Sequence, residues 1–200
     1  MGKIPREASI VSRPRRDYTP TPKLKELQAY LYGAVHDGTY NKHHQTFRIV
    51  QANRQWLVKI QAILSRINIR SWIYQEGKNR KVFALELTIP FLKTPKQFET
   101  QSQKVAYIKG YFDAEGGIPT SRAHGLYIQF VQKNKRELYE LKGMLEELGI
   151  QSGKIHNPSV RVDPEYYRFF IRRNSLHNFL ALIGSYHPRK EKLVRFWMKI

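Results

Sequence analysis

Two short segments carry the residues best suited to chemistry. His36-Asp37-Gly38 and Ala114-Glu115-Gly116 each place a carboxylate directly before a glycine, at the end of a run with helical periodicity. Within those runs, Ala29 and Gly33, then Ala106 and Gly110, lie four residues apart and so share one helix face. Small residues at that spacing let two helix backbones approach closely. If the two helices pack side by side in the same direction, Asp37 and Glu115 emerge at the same end of the seam. Two carboxylates repel, and each lies at the negative end of a helix dipole. A divalent cation relieves both costs. Mg²⁺ is bound by a few carboxylates together with substrate phosphate oxygens, and it can stabilise charge on a scissile phosphate. A single Asp-Gly could merely solvate a helix end. Two at matching places in a chain of net charge +19 point to a metal site.

The charge itself comes from 35 Lys and Arg against 16 Asp and Glu among 200 residues, so a polyanion is the first partner to consider. There is no cysteine, which excludes disulfides, Cys-ligated zinc, iron–sulfur clusters and thiol nucleophiles. No apolar run spans a bilayer, and the basic start lacks the apolar stretch of a signal peptide. An intracellular address (cytoplasm, nucleoid or organelle matrix, not secreted) is therefore expected, with no membrane partner. Adjacent His43 and His44 point to opposite faces of a strand and cannot share one metal.

Residues 1–23 read as a flexible basic arm. A helix from Leu24 stops at Gly38, and strands are predicted over Thr39–His43 and Thr46–Gln51. Asn53 caps a helix to about Asn68 whose apolar face carries Trp56, Leu57, Ile60, Ile63 and Leu64. Arg70–Glu76 and Lys81–Ile89 form a hairpin around Gly77-Lys78-Asn79, and Pro90 and Pro95 bracket a connection. The order then recurs: a helix from about Ser102 to Gly116, strands near Pro119–His124 and Leu126–Gln132, and a helix from Asn134 to Leu148. Strands near Lys154–Asn157 and Tyr166–Ile171 precede helices at about Ser175–Ile183 and Pro188–Met198. Ala29–Gly33 matches Ala106–Gly110, Val50–Asn53 matches Val131–Asn134, and Ile69–Ser71 matches Ile150–Ser152, in order. Three ordered matches indicate two copies of one αββαββα unit, over 24–100 and 101–200.

Gly110-Tyr111-Phe112-Asp113-Ala114-Glu115-Gly116 resembles the signature of the LAGLIDADG homing endonucleases, and Tyr32–Gly38 resembles a weaker first copy. The second copy has the family's glycine, the acid two before the metal acid, the metal acid and the closing glycine. The first is one residue shorter between Gly33 and Asp37 and has no counterpart of Asp113. The resemblance covers about residues 24–200 and matches the single-chain, intron-encoded branch of the family. It implies an α+β fold of two pseudo-symmetric αββαββα repeats packed through the motif helices, with antiparallel sheets forming a saddle over the DNA major groove. It also implies that Asp37 and Glu115 hold Mg²⁺ (or Mn²⁺), helped by backbone carbonyls near His36 and Ala114, and that Ca²⁺ supports binding without cleavage. Gln51 and Gln132, at equivalent strand ends, resemble residues that order the attacking water. The basic residue near each scissile phosphate maps to Lys190 or Arg189 in the second half and to Lys93 or Lys96 in the first.

Period-2 alternation then nominates the side chains facing DNA. If Phe47, Ile49 and Gln51 face the helices, Arg48 and Val50 face the groove, with Gln129 and Val131 as the matching pair. Arg can read guanine and Gln adenine. Arg70, Trp72, Tyr74 and Glu76, then Lys154 and His156, are further candidates, with Lys78, Arg80 and Arg122 at loop or phosphate positions. The expected function is a site-specific, monomeric, Mg²⁺-dependent double-strand DNA endonuclease with a long, asymmetric site and no obligate protein partner. The alternatives are a maturase acting on its host intron RNA and a non-cutting DNA-binding regulator on the same scaffold.

Overall fold

A computed structural model describes residues 22–88 and 96–199, with Asp37 placed by its backbone. The expected arm over 1–23 and the Pro90–Pro95 connection with Lys93 lie outside the described residues, except that Pro22 and Lys23 already belong to the first helix. Helix α1 (Pro22–Ala34) runs into a 3₁₀ turn at Val35–Asp37, then come β1 (Gly38–Asn41) and β2 (Thr46–Gln51). Helix α2 (Arg54–Arg66) and strands β3 (Ser71–Gln75) and β4 (Phe83–Thr88) complete the first half. The second half is α3 (Gln101–Glu115), β5 (Gly116–Gly117), β6 (Gln129–Gln132), α4 (Lys135–Glu147), β7 (Tyr167–Phe170), α5 (Leu176–Leu182) and α6 (Pro188–Met198).

The caps form where the sequence puts them. Asn53 accepts from the Trp56 N–H at 3.1 Å, and Asn134 accepts from the Arg136 N–H at 3.1 Å, each satisfying a donor that its helix leaves unpaired. The face of α2 that meets the sheet is Trp56, Leu57, Ile60, Ile63 and Leu64, all buried. It packs on Ile49, Leu85 and Leu87; burying each such side chain contributes about 1.5–3 kcal/mol. In the second half the corresponding core is aromatic: Phe130 stacks on Phe169 at 5.3 Å, and Phe112 and Phe179 meet edge-on at 5.2 Å.

Both sheets are antiparallel. The first has the order β1-β2-β4-β3, with Arg48 opposite Glu86 and Trp72 also opposite Glu86. The second has the order β5-β6-β7, with Val131 opposite Arg168 and Gln129 opposite Phe170. Two expected strands of this half do not form. Pro119–His124 gives a 3₁₀ turn at Arg122–His124: Pro119 has no N–H for a ladder, and its carbonyl accepts from the Trp197 indole N–H at 3.0 Å. Gly125 then leaves the turn at φ +65°. Lys154–Asn157 contributes only isolated bridges, Ser152 to Ile171 and His156 to Arg168, before Asn157-Pro158 turns the chain away. Among the described residues no helix is long and apolar enough to cross a membrane.

The halves join through α1 and α3, which make the most extensive contact between any two elements. A Cβ added to Gly33 would stand 2.2 Å from the Tyr107 carbonyl oxygen, and one on Gly110 would stand 2.0 Å from the Tyr30 carbonyl oxygen. Each glycine thus lets the other helix's backbone press against it. The pairing Lys25–Glu99 at one end and His36 on Tyr111 at the other makes the two helices parallel, as the motif spacing requires.

Candidate active site

The crossing fixes where the acids emerge. From Gly110 to Glu115, five α-helical steps advance about 7.5 Å. From Gly33 to Asp37 there are only four steps, but two of them lie within the 3₁₀ turn at Val35–Asp37. At roughly 2.0 Å per 3₁₀ step and 1.5 Å for the other two, they advance about 7 Å. The tighter winding makes up most of the missing residue, so by helical rise the two acid positions advance nearly equally past their glycines, each followed by the glycine that opens β1 or β5.

Gln51, at the end of β2, lines a cleft of about 320 Å³ with Ala114, Arg189 and Lys190. First-half and second-half residues therefore meet at the end of α3. The Lys190 ammonium donates to the carbonyls of Phe112 at 2.5 Å and Asp113 at 2.9 Å. This helix end already attracts a cation, as its dipole dictates. Glu115 is half-buried beside it. The oxygen donors at this helix end, the Glu115 carboxylate and main-chain carbonyls, are of the kind that suits a small oxygen-seeking divalent cation. Among the described residues no three His, Asp or Glu side chains gather as a metal cluster by themselves.

The partner site at the end of α1 is built differently. The His36 ring packs 4.4 Å from Tyr111, lies 3.1 Å from the Tyr107 hydroxyl, and pairs through Nδ1 with Glu137 of α4 at 3.2 Å. The hydrogen bond from His36 holds the Glu137 carboxyl below the usual carboxylate range. Lys96 stands over the Tyr107 ring at 5.6 Å. Gln132, at the end of β6, accepts from the Lys133 N–H at 2.7 Å.

Asp113 is the residue the sequence reading left without a role. It is 2% exposed and accepts from four donors: the Tyr30 hydroxyl at 2.8 Å, the Ser185 hydroxyl, and the N–H groups of Tyr186 at 2.9 Å and His187 at 3.2 Å. Burial pushes its carboxyl upward, opposed by the hydrogen bond from Ser185. The Tyr30 hydroxyl in turn accepts from the Trp56 indole at 3.0 Å. No local sequence signal announces this network, because its members come from α1, α2, α3 and the turn before α6.

On the outer face of the first sheet, Arg48 pairs with Glu76 at 3.0 Å and its guanidinium lies 5.9 Å from the Tyr74 ring. Tyr74 donates to Glu86 at 3.2 Å, and Trp72 and Tyr74 are exposed. Arg70, Lys78 and Arg80 are exposed around the same hairpin. On the second sheet, strand parity adds three residues that the sequence reading missed: Tyr127, Arg168 and Phe170. Arg168 lies over Phe170 at 5.2 Å, Tyr127 meets Phe170 at 6.1 Å, and His156 stacks on Phe170 at 6.2 Å. Gln129 packs against Gly117, and Lys154 is exposed. Arg122 stands apart from this face, over Phe196 at 5.2 Å and donating to the Lys199 carbonyl at 3.3 Å. A larger cleft of about 570 Å³ opens beside the first turns of α3, between Glu26 and Gln101, away from both acids.

Comparison with known proteins agrees with this architecture. The LAGLIDADG-like domain matches residues 102–184. The chain is also similar to the homing endonuclease I-ApeI of Aeropyrum pernix, 26% identical over 82% of this chain and 83% of that protein. These two likenesses support the LAGLIDADG resemblance, which the domain match carries for the second half of the chain. Its fold is similar to I-DmoI solved in complex with DNA and Ca, at TM-score 0.63 and 20% identity over 86% of this chain and 98% of that one. It is similar as well to full-length DUF199/WhiA from Thermatoga maritima, at TM-score 0.66 and 14% identity over 90% of this chain and 63% of that one. These likenesses are of fold, and the α+β architecture with antiparallel sheets is consistent with the two-repeat saddle expected from the motif.

Proposed function

We propose that this protein is a DNA endonuclease of the LAGLIDADG type, cutting both strands of a long, partly asymmetric site as a monomer with a divalent metal, Mg²⁺ or Mn²⁺. The observation that carries the reading is a glycine-to-glycine helix crossing from which both helices run on to an acid followed by a glycine, in a chain whose two sheets have basic and aromatic outer faces. The similarity to a protein named as a homing endonuclease, and to one solved with DNA and Mn, supports it.

Asp37 and Glu115 would hold the metal, with main-chain carbonyls near His36 and Ala114. A bound divalent cation supplies Lewis-acid stabilisation of the charge that builds on a phosphate oxygen. The chain's own residues do the rest. Gln51 and Gln132 orient water at the two helix ends, and Lys190 presents an ammonium charge at the α3 side. The differing outer faces, with Arg48, Trp72 and Tyr74 on one sheet and Gln129, Arg168 and Phe170 on the other, read unlike half-sites. Maturase activity or DNA binding alone would gain nothing from two repelling carboxylates at one seam.

The test incubates the protein with a plasmid carrying the uninterrupted sequence that flanks its own reading frame, with and without Mg²⁺. Linear product that requires the metal is expected. Intact plasmid in both Mg²⁺ and Mn²⁺, despite binding, would refute the reading.

A further inference from the structure

The two motif helices end in different surroundings. At the end of α3 the Asp113 carboxylate accepts from Ser185, Tyr186 and His187, and so holds the turn that precedes α6. His187 then caps α6, its Nδ1 accepting from the Arg189 N–H at 3.2 Å, with Pro188 as the first helical residue. Lys190 lies in that first turn, and its ammonium reaches back to the Phe112 and Asp113 carbonyls, into the cleft shared with Gln51 and Ala114. Side chain, turn, cap and ammonium form one closed circuit around the end of α3. The end of α1 has none of this: no acid lies between Gly33 and Asp37, and His36 reaches Glu137 instead.

We propose that Asp113 is a positioning residue, clamping the 185–187 turn so that α6 delivers Lys190 to the scissile phosphate at the α3 side, and to that side alone. The inference rests on the nuclease reading. It makes the two cuts unequal in their dependence on Asp113. The strand processed beside Gln51, Glu115 and Lys190 needs the clamp, and the strand processed beside Asp37 and Gln132 does not. A displacement of Lys190 by about 1 Å is enough to slow a positioned reaction about 100-fold.

The experiment uses the full chain, a plasmid carrying the target with each strand end-labelled in turn, and the variants Asp113→Asn, Ser185→Ala, Lys190→Met and Asp113→Asn/Lys190→Met. Thermal unfolding and binding in Ca²⁺ are measured alongside. Asp113→Asn is expected to slow one strand by about 100-fold, leave the other within about 2-fold, and accumulate nicked circles. Ser185→Ala, which removes a single donor, is expected to slow the same strand less. The double variant is expected to be no slower than Lys190→Met, because Asp113 acts through that lysine. Lysine acylation read by mass spectrometry follows the clamp without any cutting: Lys190 is expected to react at least about 10-fold faster in Asp113→Asn. Equal slowing of both strands, independent effects of Asp113 and Lys190, or unchanged Lys190 reactivity would each overturn the proposal. If the wild type cuts neither strand while Lys190 is still deprotected in Asp113→Asn, the nuclease reading fails and the clamp stands without its catalytic consequence.

Discussion

Replacing Gly110 by alanine tests the helix crossing on which the whole site depends. The added methyl would stand 2.0 Å from the Tyr30 carbonyl oxygen and 2.8 Å from the Ala34 nitrogen, where ordinary contacts begin near 3.4 Å. Both obstacles are backbone, so no side chain can turn away, and α1 and α3 must separate locally by more than 1 Å. Forced overpacking of this kind costs about 1–3 kcal/mol, and a backbone-on-backbone clash belongs at the top of that range. Alanine returns about 1 kcal/mol through its better helix propensity, leaving a net loss of about 2 kcal/mol. For a chain of this size that lowers Tm by about 4–8 °C. Gly143→Ala is the matched control, since nothing lies within 4 Å of a Cβ at that position in α4. It should raise Tm by about 2–4 °C through propensity alone. Scanning calorimetry on both variants decides the matter. Gly110→Ala should also lose cleavage beyond its loss of binding, because spreading the crossing moves the two acids apart. If Gly110→Ala is as stable as wild type, the close crossing is wrong and the proposed pairing of Asp37 with Glu115 falls with it.

The remaining predictions concern pH, base reading and salt. Burial against Trp56, then the charge of Lys190, pushes His187 down to about 4. The unfolded chain takes up this proton near pH 6.5 while the folded chain does not, so stability is greatest above pH 6.5. It should fall by about 3 kcal/mol as the pH drops to about 4. His187→Asn keeps a cap acceptor for α6 and should remove much of that slope in Tm against pH. Arg48→Ala should weaken binding by about 1–3 kcal/mol and relax preference at one base pair. Glu76→Gln should strengthen binding by releasing Arg48 from its 3.0 Å ion pair, both effects being read by fluorescence anisotropy on matched duplexes. With a net charge of +19, raising salt from about 50 to 200 mM should weaken binding by about 1,000-fold or more.

Much of the fold is legible in the sequence because its signals are local. The asparagine caps at 53 and 134, the Trp56–Leu64 stripe and the start of α6 at Pro188 each follow from a few neighbouring residues. The repetition exposed the paired acids without any structure. What stayed hidden depends on winding or on distance along the chain. A one-residue deletion before Asp37 does not announce that a 3₁₀ turn will make up most of its length. The residues of Pro119–His124 are strand-compatible in type, but the proline and a left-handed Gly125 bend the segment into a turn. The Asp113 network draws on Tyr30, Trp56 and the 185–187 turn, which no periodicity brings together. Arg168 and Phe170 needed the register of β7 before their outward face could be assigned.

The central claim is that Asp37 and Glu115 together hold the catalytic metal over DNA gripped by the sheets. Its most direct test measures binding in Ca²⁺ and cleavage in Mg²⁺ for Asp37→Asn and Glu115→Gln on the same target duplex. Binding is expected at wild-type strength or tighter, as less negative charge faces the phosphates, while cleavage collapses in both variants. If both variants bind and cut like wild type, the paired carboxylates are only helix ends, and the active site lies elsewhere.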